Sequence, residues 1–165
     1  MRAPFPPDPG SRAGAQTGRG QQVSLPEVHD DGLWVTYSDG AARGNPGPAS
    51  YGAVVIDPNG EIRREISEAM GVTTNNVAEW RGLLAALESA LELGARRVEA
   101  RMDSQLVALQ AVGRYRVKNE GLIPLYHELL SLKPRFEHIV FAHVPRALNK
   151  RADALANQAL DRLLK

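Results

Sequence analysis

Cysteine is absent from this chain of 165 residues, which removes disulfides, thiolate metal centres and thiol nucleophiles together. Long apolar runs are absent too: none approaches the ~18 residues of a membrane span, and the first residues hold no apolar core of a signal peptide. Excess charge of either sign is lacking, since 20 Lys and Arg face 19 Asp and Glu for a net charge of +1. That balance neither demands nor excludes a polyanionic partner, so local clustering must decide. A stable core without disulfides suits a cytoplasm. The expectation is a soluble, cytoplasmic, monomeric protein with no membrane attachment.

Residues 1–30 lack the apolar content needed to order themselves. They hold five of the eleven prolines and four glycines, with Arg2, Arg12 and Arg19 balanced by Asp8, Glu27 and Asp30. This stretch is read as a disordered tail, and its prolines and glycines exclude the amphipathic helix of an organellar presequence. Residues 31–165 read as one domain, of a size that buries roughly two-thirds of its unfolded surface.

Leu33 to Ser38 is apolar, β-branched and aromatic, as suits a strand buried on both faces, and it ends in Asp39-Gly40. Asn45-Pro46-Gly47-Pro48 reads as a tight turn, Tyr51 to Asp57 as a second strand and Asp57 to Gly60 as the next turn. Glu61 to Met70 alternates as a half-exposed third strand, so the three make an antiparallel meander. Thr73 to Asn76 is a run of N-cap residues before Val77, Trp80, Leu84, Leu87 and Leu91, a helical stripe ended by Gly94. About 18 helical residues measure about 27 Å, enough to cross a sheet.

Val98 to Met102 is a fourth strand, reached through that helix and hence parallel to the first. Gln105 to Val112 and Leu122 to Leu132 read as helices, and between them Arg114, Arg116 and Lys118 surround Tyr115 in a basic loop. That loop is either a solvated surface or a phosphate-facing patch. His138 to Val144 is a fifth strand. A loop from Pro145 to Lys150 leads to a last helix whose Leu155, Ala159, Leu160 and Leu163 face inward.

An acid at the end of a buried strand needs a reason. Asp-Gly is a common turn signal, but three further acids stand where a second layer of structure could return them to Asp39. Asp103 ends the fourth strand as Asp39 ends the first, and Glu79 and Asp153 lie in helical first turns. Were all four about 5 Å apart, each pair would repel by about 3 kcal/mol at an effective dielectric of 20, and together they would exceed the stability of most domains. Such a cluster needs protons or a cation. Oxygen ligands without His or Cys point to Mg²⁺ or Mn²⁺ and away from zinc. Two such ions about 4 Å apart suit phosphodiester hydrolysis.

Asp39-Gly40 with Asn45 to Pro48, Thr74 to Glu79, Asp103-Ser104-Gln105, and His143 to Arg146 with Asn149 and Ala152-Asp153 resemble ribonuclease H of type 1, in that family's order and spacing from Trp34 to about Leu164. The resemblance implies an α/β fold, a five-stranded mixed sheet of order 3-2-1-4-5 with helices on both faces. It implies a metal-dependent endoribonuclease that cuts the RNA strand of RNA/DNA hybrids with two ions per site, leaving 5′-phosphate and 3′-hydroxyl ends. Asp39, Glu79, Asp103 and Asp153 match the family's metal-binding acids, and His143 its mobile-loop histidine, held to assist proton transfer and product release. Gly40, Asn45, Asn75 and Gln105 look like the residues that read 2′-hydroxyls and bases of the RNA, with Thr74 and Asn76 near a phosphate of the DNA. Amides suit the first task, because a 2′-hydroxyl both donates and accepts. Asn149 is carried over with the substrate-binding set.

The sequence departs from some family members in having only the short GRYRVKN segment where they carry a longer basic protrusion. Arg114, Arg116, Lys118 and Arg146 are the candidate phosphate contacts, with distributive cleavage and a steep salt dependence expected. The rivals are a relative with broadened substrate that also cuts double-stranded RNA, and a catalytically silent hybrid-binding module, against which the full set of acids stands. A third reading, a phosphotransferase sharing the same sheet topology, would need a phosphate-cradling Gly-rich loop and a second lobe, which this sequence lacks.

Overall fold

The computed structural model describes residues 32–164, so the tail expected over residues 1–30 lies outside the described residues. Its elements are β1 (Leu33–Ala42), β2 (Gly47–Ile56), β3 (Ile62–Thr73), α1 (Asn75–Glu92), β4 (Arg97–Met102), α2 (Gln105–Ala111), α3 (Ile123–Leu132), β5 (His138–His143) and α4 (Lys150–Leu163). The strands form one sheet of order β3-β2-β1-β4-β5. β1 pairs antiparallel with β2 and parallel with β4, and β4 pairs parallel with β5. The mixed sheet and its order are those expected from the sequence.

Alternation along β1 assigns the two faces. Trp34 packs into the larger core with Trp80, Leu83, Leu84, Leu87, Val98, Ala100 and Met102, whereas Val35 and Tyr37 pack with Val54, Ile56, Ala152 and Leu155. α1 therefore covers one face and α4 the other. Both helices approach so closely that glycine is required beneath them. A Cβ on Gly40 would lie 2.4 Å from the backbone nitrogen of Glu79, and one on Gly52 would lie 2.4 Å from the carbonyl oxygen of Ala152.

β4 buries charge as well as apolar side chains. Arg101 and Glu99 are each 2% exposed, and Arg101 Nε donates to Glu99 Oε2 at 2.8 Å while its Nη1 donates to Tyr37 Oη. The pair stands on the α4 face and ties β4 to β1.

Three expectations are corrected. β1 does not end at Ser38 but runs on to Ala42, so Asp39 lies within the strand, paired with Gly52, and Gly47 and Pro48 belong to β2. Aspartate, glycine and alanine have low strand propensity, and here the ladder with β2, closed by Arg43 N to Pro48 O at 2.9 Å, overrides it. Glu79 is the fifth residue of α1 and lies past its first turn. Leu163 is 45% exposed and does not face inward, the buried stripe of α4 ending at Ala159 and Leu160.

Candidate active site

Four elements deliver the acids. Asp39 is held inside β1, with Gly40 N donating to its Oδ1 at 2.9 Å, and Asp103 follows the last residue of the adjacent parallel strand β4. Thr74 caps α1 by accepting from Val77 N at 3.2 Å, which sets the helix start and hence where Glu79 passes over Gly40. Asp153 stands in the first turn of α4. All four line one cavity of about 290 Å³, together with Gly40, Asn75, Arg43, Arg146 and Asn157.

The electrostatics follow from this crowding. Burial, the neighbouring Asp103, a hydrogen bond shared with Asp153 and the charge of Glu79 push Asp39 up to about 8. Glu79 is pushed up to about 7, first by burial; the Ser104 hydroxyl and the Arg146 charge act in the opposite direction to Asp103. Around neutral pH, part of the cluster therefore holds protons, as the Coulomb argument requires of acids with no cation among them. Arg146 supplies part of the missing charge through Asp153 Oδ1 at 3.7 Å, but its side chain is 81% exposed and the pair is correspondingly weak.

Among the described residues no three His, Cys, Asp or Glu side chains are gathered, as they stand, tightly enough to hold an ion. The donor set nonetheless fits a hard divalent cation. Magnesium takes one or two carboxylates and completes its shell with water and substrate phosphate, so a tight cage of three is not what it requires. The raised Asp39 and Glu79 show where added positive charge would be most stabilising.

The remaining residues singled out by the sequence divide by position. Asn45, Asn75 and Gln105 are exposed, and Thr74 and Asn76 half-buried, around the rim formed by the β1–β2 turn, the start of α1 and the start of α2. Asn45 Oδ1 accepts from Asn75 N at 2.9 Å, which locks the turn to the helix. Arg114, Arg116 and Lys118 are exposed in the loop after α2, apart from the residues lining the cavity.

His143 is the last residue of β5, opposite Met102, and is exposed. It thus ends the fifth strand expected over His138 to Val144, and it is not among the residues that line the cavity. Asn149 is 1% exposed, with its amide turned inward to Ser38 O and Asp103 Oδ2. It cannot touch a substrate where it stands.

Two polar lining residues were missed in the sequence. Asn157 donates from Nδ2 to Asp153 O at 2.9 Å and to its Oδ1 at 3.2 Å, an i, i+4 pair that helical spacing could have found. Arg43 pairs with Asp161 at 2.9 Å, a contact across 118 residues with no local signal.

Comparison with known proteins places this geometry. A family model described as reverse transcriptase-like matches residues 37–159. A bifunctional protein of Mycobacterium tuberculosis is 48% identical over 128 residues, 77% of this chain, and the chain spans 35% of that relative's length. A ribonuclease H of Halorhodospira halophila is 36% identical over 147 residues, covering 81% of this chain and 96% of the relative. Among solved structures, LC11-RNase H1 in complex with RNA/DNA hybrid superposes with a TM-score of 0.76 at 42% identity, covering 80% of this chain and 99% of that one.

Proposed function

The chain belongs to the ribonuclease H family, and on that premise we propose that it is a metal-dependent endoribonuclease that hydrolyses the RNA strand of RNA/DNA hybrids, leaving 5′-phosphate and 3′-hydroxyl ends. The observation that carries this reading is the meeting of Asp39, Glu79, Asp103 and Asp153, from four separate elements, in one cavity. Binding alone has no use for four carboxylates, which would repel phosphate. Two Mg²⁺ ions, or Mn²⁺ in their place, held by these acids and completed by water and the scissile phosphate, would supply the charge for the attacking and leaving oxygens.

The chain's own residues supply the rest. The exposed Asn75 lines the cavity, with Asn45 bonded to its backbone and Gln105 two residues past Asp103, where a minor groove bearing 2′-hydroxyls would pass, and Gly40 lets α1 come close enough to β1 to bring Glu79 to the site. Thr74 and Asn76 lie beside them, towards the second strand of the hybrid. His143, exposed at the end of β5, would carry a proton for the leaving group, and Arg146, which lines the cavity, would meet the phosphate. Arg114, Arg116 and Lys118 hold the backbone farther along, as point charges without base readout.

The test is cleavage of a labelled RNA strand annealed to DNA, beside single-stranded RNA, double-stranded RNA and double-stranded DNA, with Mg²⁺, Mn²⁺ or EDTA, using wild type and Asp103→Asn. Metal-dependent cutting of the hybrid, lost in the variant, is expected. Cutting of double-stranded RNA as well would broaden the substrate. A hybrid bound in every condition and never cut would refute the hydrolase reading and leave a binding module.

A further inference from the structure

Asn149 occupies the N-cap position of α4 yet does not cap it. At the starts of α1 and α2, Thr74 and Ser104 adopt extended backbone and each accepts from a helix amide at 3.2 Å, the usual use of such residues. Asn149 has φ −122° and ψ 26° and makes no side-chain cap. Its Nδ2 instead donates to Ser38 O at 2.9 Å and to Asp103 Oδ2 at 3.3 Å, while its own carbonyl accepts from Asp153 N at 3.1 Å. Both side-chain partners are acceptors, so only the amide NH₂ can serve them. The Oδ1 is left buried with no hydrogen-bond partner among the described residues.

A capping residue that gives up its cap and leaves a buried acceptor unpaired is destabilising on both counts. Against those costs stands the buried bond to Ser38 O, and the contact with Asp103 turns the same amide to the site. Asn149 touches Ser38, next to Asp39 in β1, as well as Asp103 itself and the backbone of Asp153, and so joins three of the four acid-bearing segments across 111 residues. By engaging one oxygen of Asp103 it leaves the other to the cavity that Asp103 lines.

We infer that Asn149 is a positioning residue for the acid site: its carboxamide clamps β1 and the Asp103 carboxylate to the start of α4, setting the spacing at which Asp39, Asp103 and Asp153 receive divalent cations. This rests on the proposed metal-dependent reading, and it replaces the substrate-contact role that the sequence suggested. At 1% exposure the side chain meets no nucleic acid.

The experiment uses the full chain with Asn149→Asp, Asn149→Ser and the exchange Asp103→Asn/Asn149→Asp. Calorimetric titration with Mn²⁺ in the absence of nucleic acid, melting temperature, and kcat, KM and Mg²⁺ half-saturation on a hybrid are measured. Outer-sphere partners of metal ligands typically change affinity or activity by about 10–100-fold when replaced, and both single variants should lose Mn²⁺ affinity and kcat on that order, with hybrid KM within about 3-fold. The exchange restores one donor facing one acceptor. It should recover part of the melting temperature lost in Asn149→Asp, the Ser38 O bond staying unmade, without recovering cleavage.

Unchanged Mn²⁺ affinity and kcat with a lowered melting temperature would reduce Asn149 to a fold contact and overturn the inference. A raised KM at unchanged kcat would return it to the substrate and overturn it equally. Should Asn149→Asp not fold, Asn149→Ser carries the same readings without an added charge. A wild type inactive on every hybrid would refute the hydrolase reading instead, and the Mn²⁺ titration and the exchange would still decide the clamp.

Discussion

Replacing Asp39 with asparagine should stabilise the metal-free protein at alkaline pH while abolishing its activity. Asp39 is 7% exposed, and its ionisation is displaced from an ordinary 3.8 to about 8 by burial and by Asp103, Asp153 and Glu79. Unfolded, the carboxyl ionises near pH 4; folded, it keeps its proton to about 8. Across that window the folded state binds more protons, so stability falls as pH rises, and the full penalty is present above pH 8. At 1.36 kcal/mol per pK unit the displacement of about four units sets a ceiling near 6 kcal/mol. The cavity is open enough for carboxyls to separate, and about half that figure, roughly 3 kcal/mol, is a reasonable expectation.

Asparagine keeps the acceptor for Gly40 N and removes the charge. For a domain of this size about 3 kcal/mol corresponds to roughly 10 °C in melting temperature. Melting curves in EDTA at pH 5 and pH 8.5 should show Asp39→Asn far above wild type at the higher pH, with a much smaller gap at the lower. Mg²⁺ should then raise the wild type more at pH 8.5 than at pH 5, because cation binding relieves the same repulsion. Equal melting of the two proteins at pH 8.5 in EDTA would refute the claim that these acids are crowded.

Gly40→Ala forces a Cβ to within 2.4 Å of the Glu79 backbone, so α1 must shift; a loss of about 1–3 kcal/mol by denaturant titration is expected, with hybrid cleavage reduced beyond what that loss explains. Arg101→Met leaves Glu99 buried without its guanidinium partner and should destabilise by about 3–5 kcal/mol, read by calorimetry, although neither residue lines the cavity. Arg116→Glu should raise hybrid KM at low salt and flatten its dependence on salt by about one phosphate contact, and an unchanged KM would remove the basic loop from the binding surface.

The elements were legible because their signals are local. The stripe Val77, Trp80, Leu84, Leu87, Leu91 could only be a helix with one buried face, and α1 has the expected 18 residues. The apolar run from Leu33 marked the central strand, and the helical connection to Val98 required a parallel partner. The end of β1 was not legible, since Ala41 and Ala42 carry no strand signal and are held extended by β2 alone. Asn149 misled for a related reason: its type and place fit both a cap and a substrate contact, and neither spacing nor composition says which way an amide points.

What the sequence determined by itself is the order of the elements, the kind of sheet, and the identity of four acids that no fold would gather without a cation or protons to offset them. Periodicity encodes which face of each element is apolar, and apolar faces need only find one another. The tertiary structure decided the direction of the polar groups: Asp39 inside a strand and displaced to about 8, Arg146 reaching Asp153, and Asn149 turned from its helix to Ser38 and Asp103. A buried polar side chain goes where its partner is, and for Asn149 and Ser38 that partner lies 111 residues away.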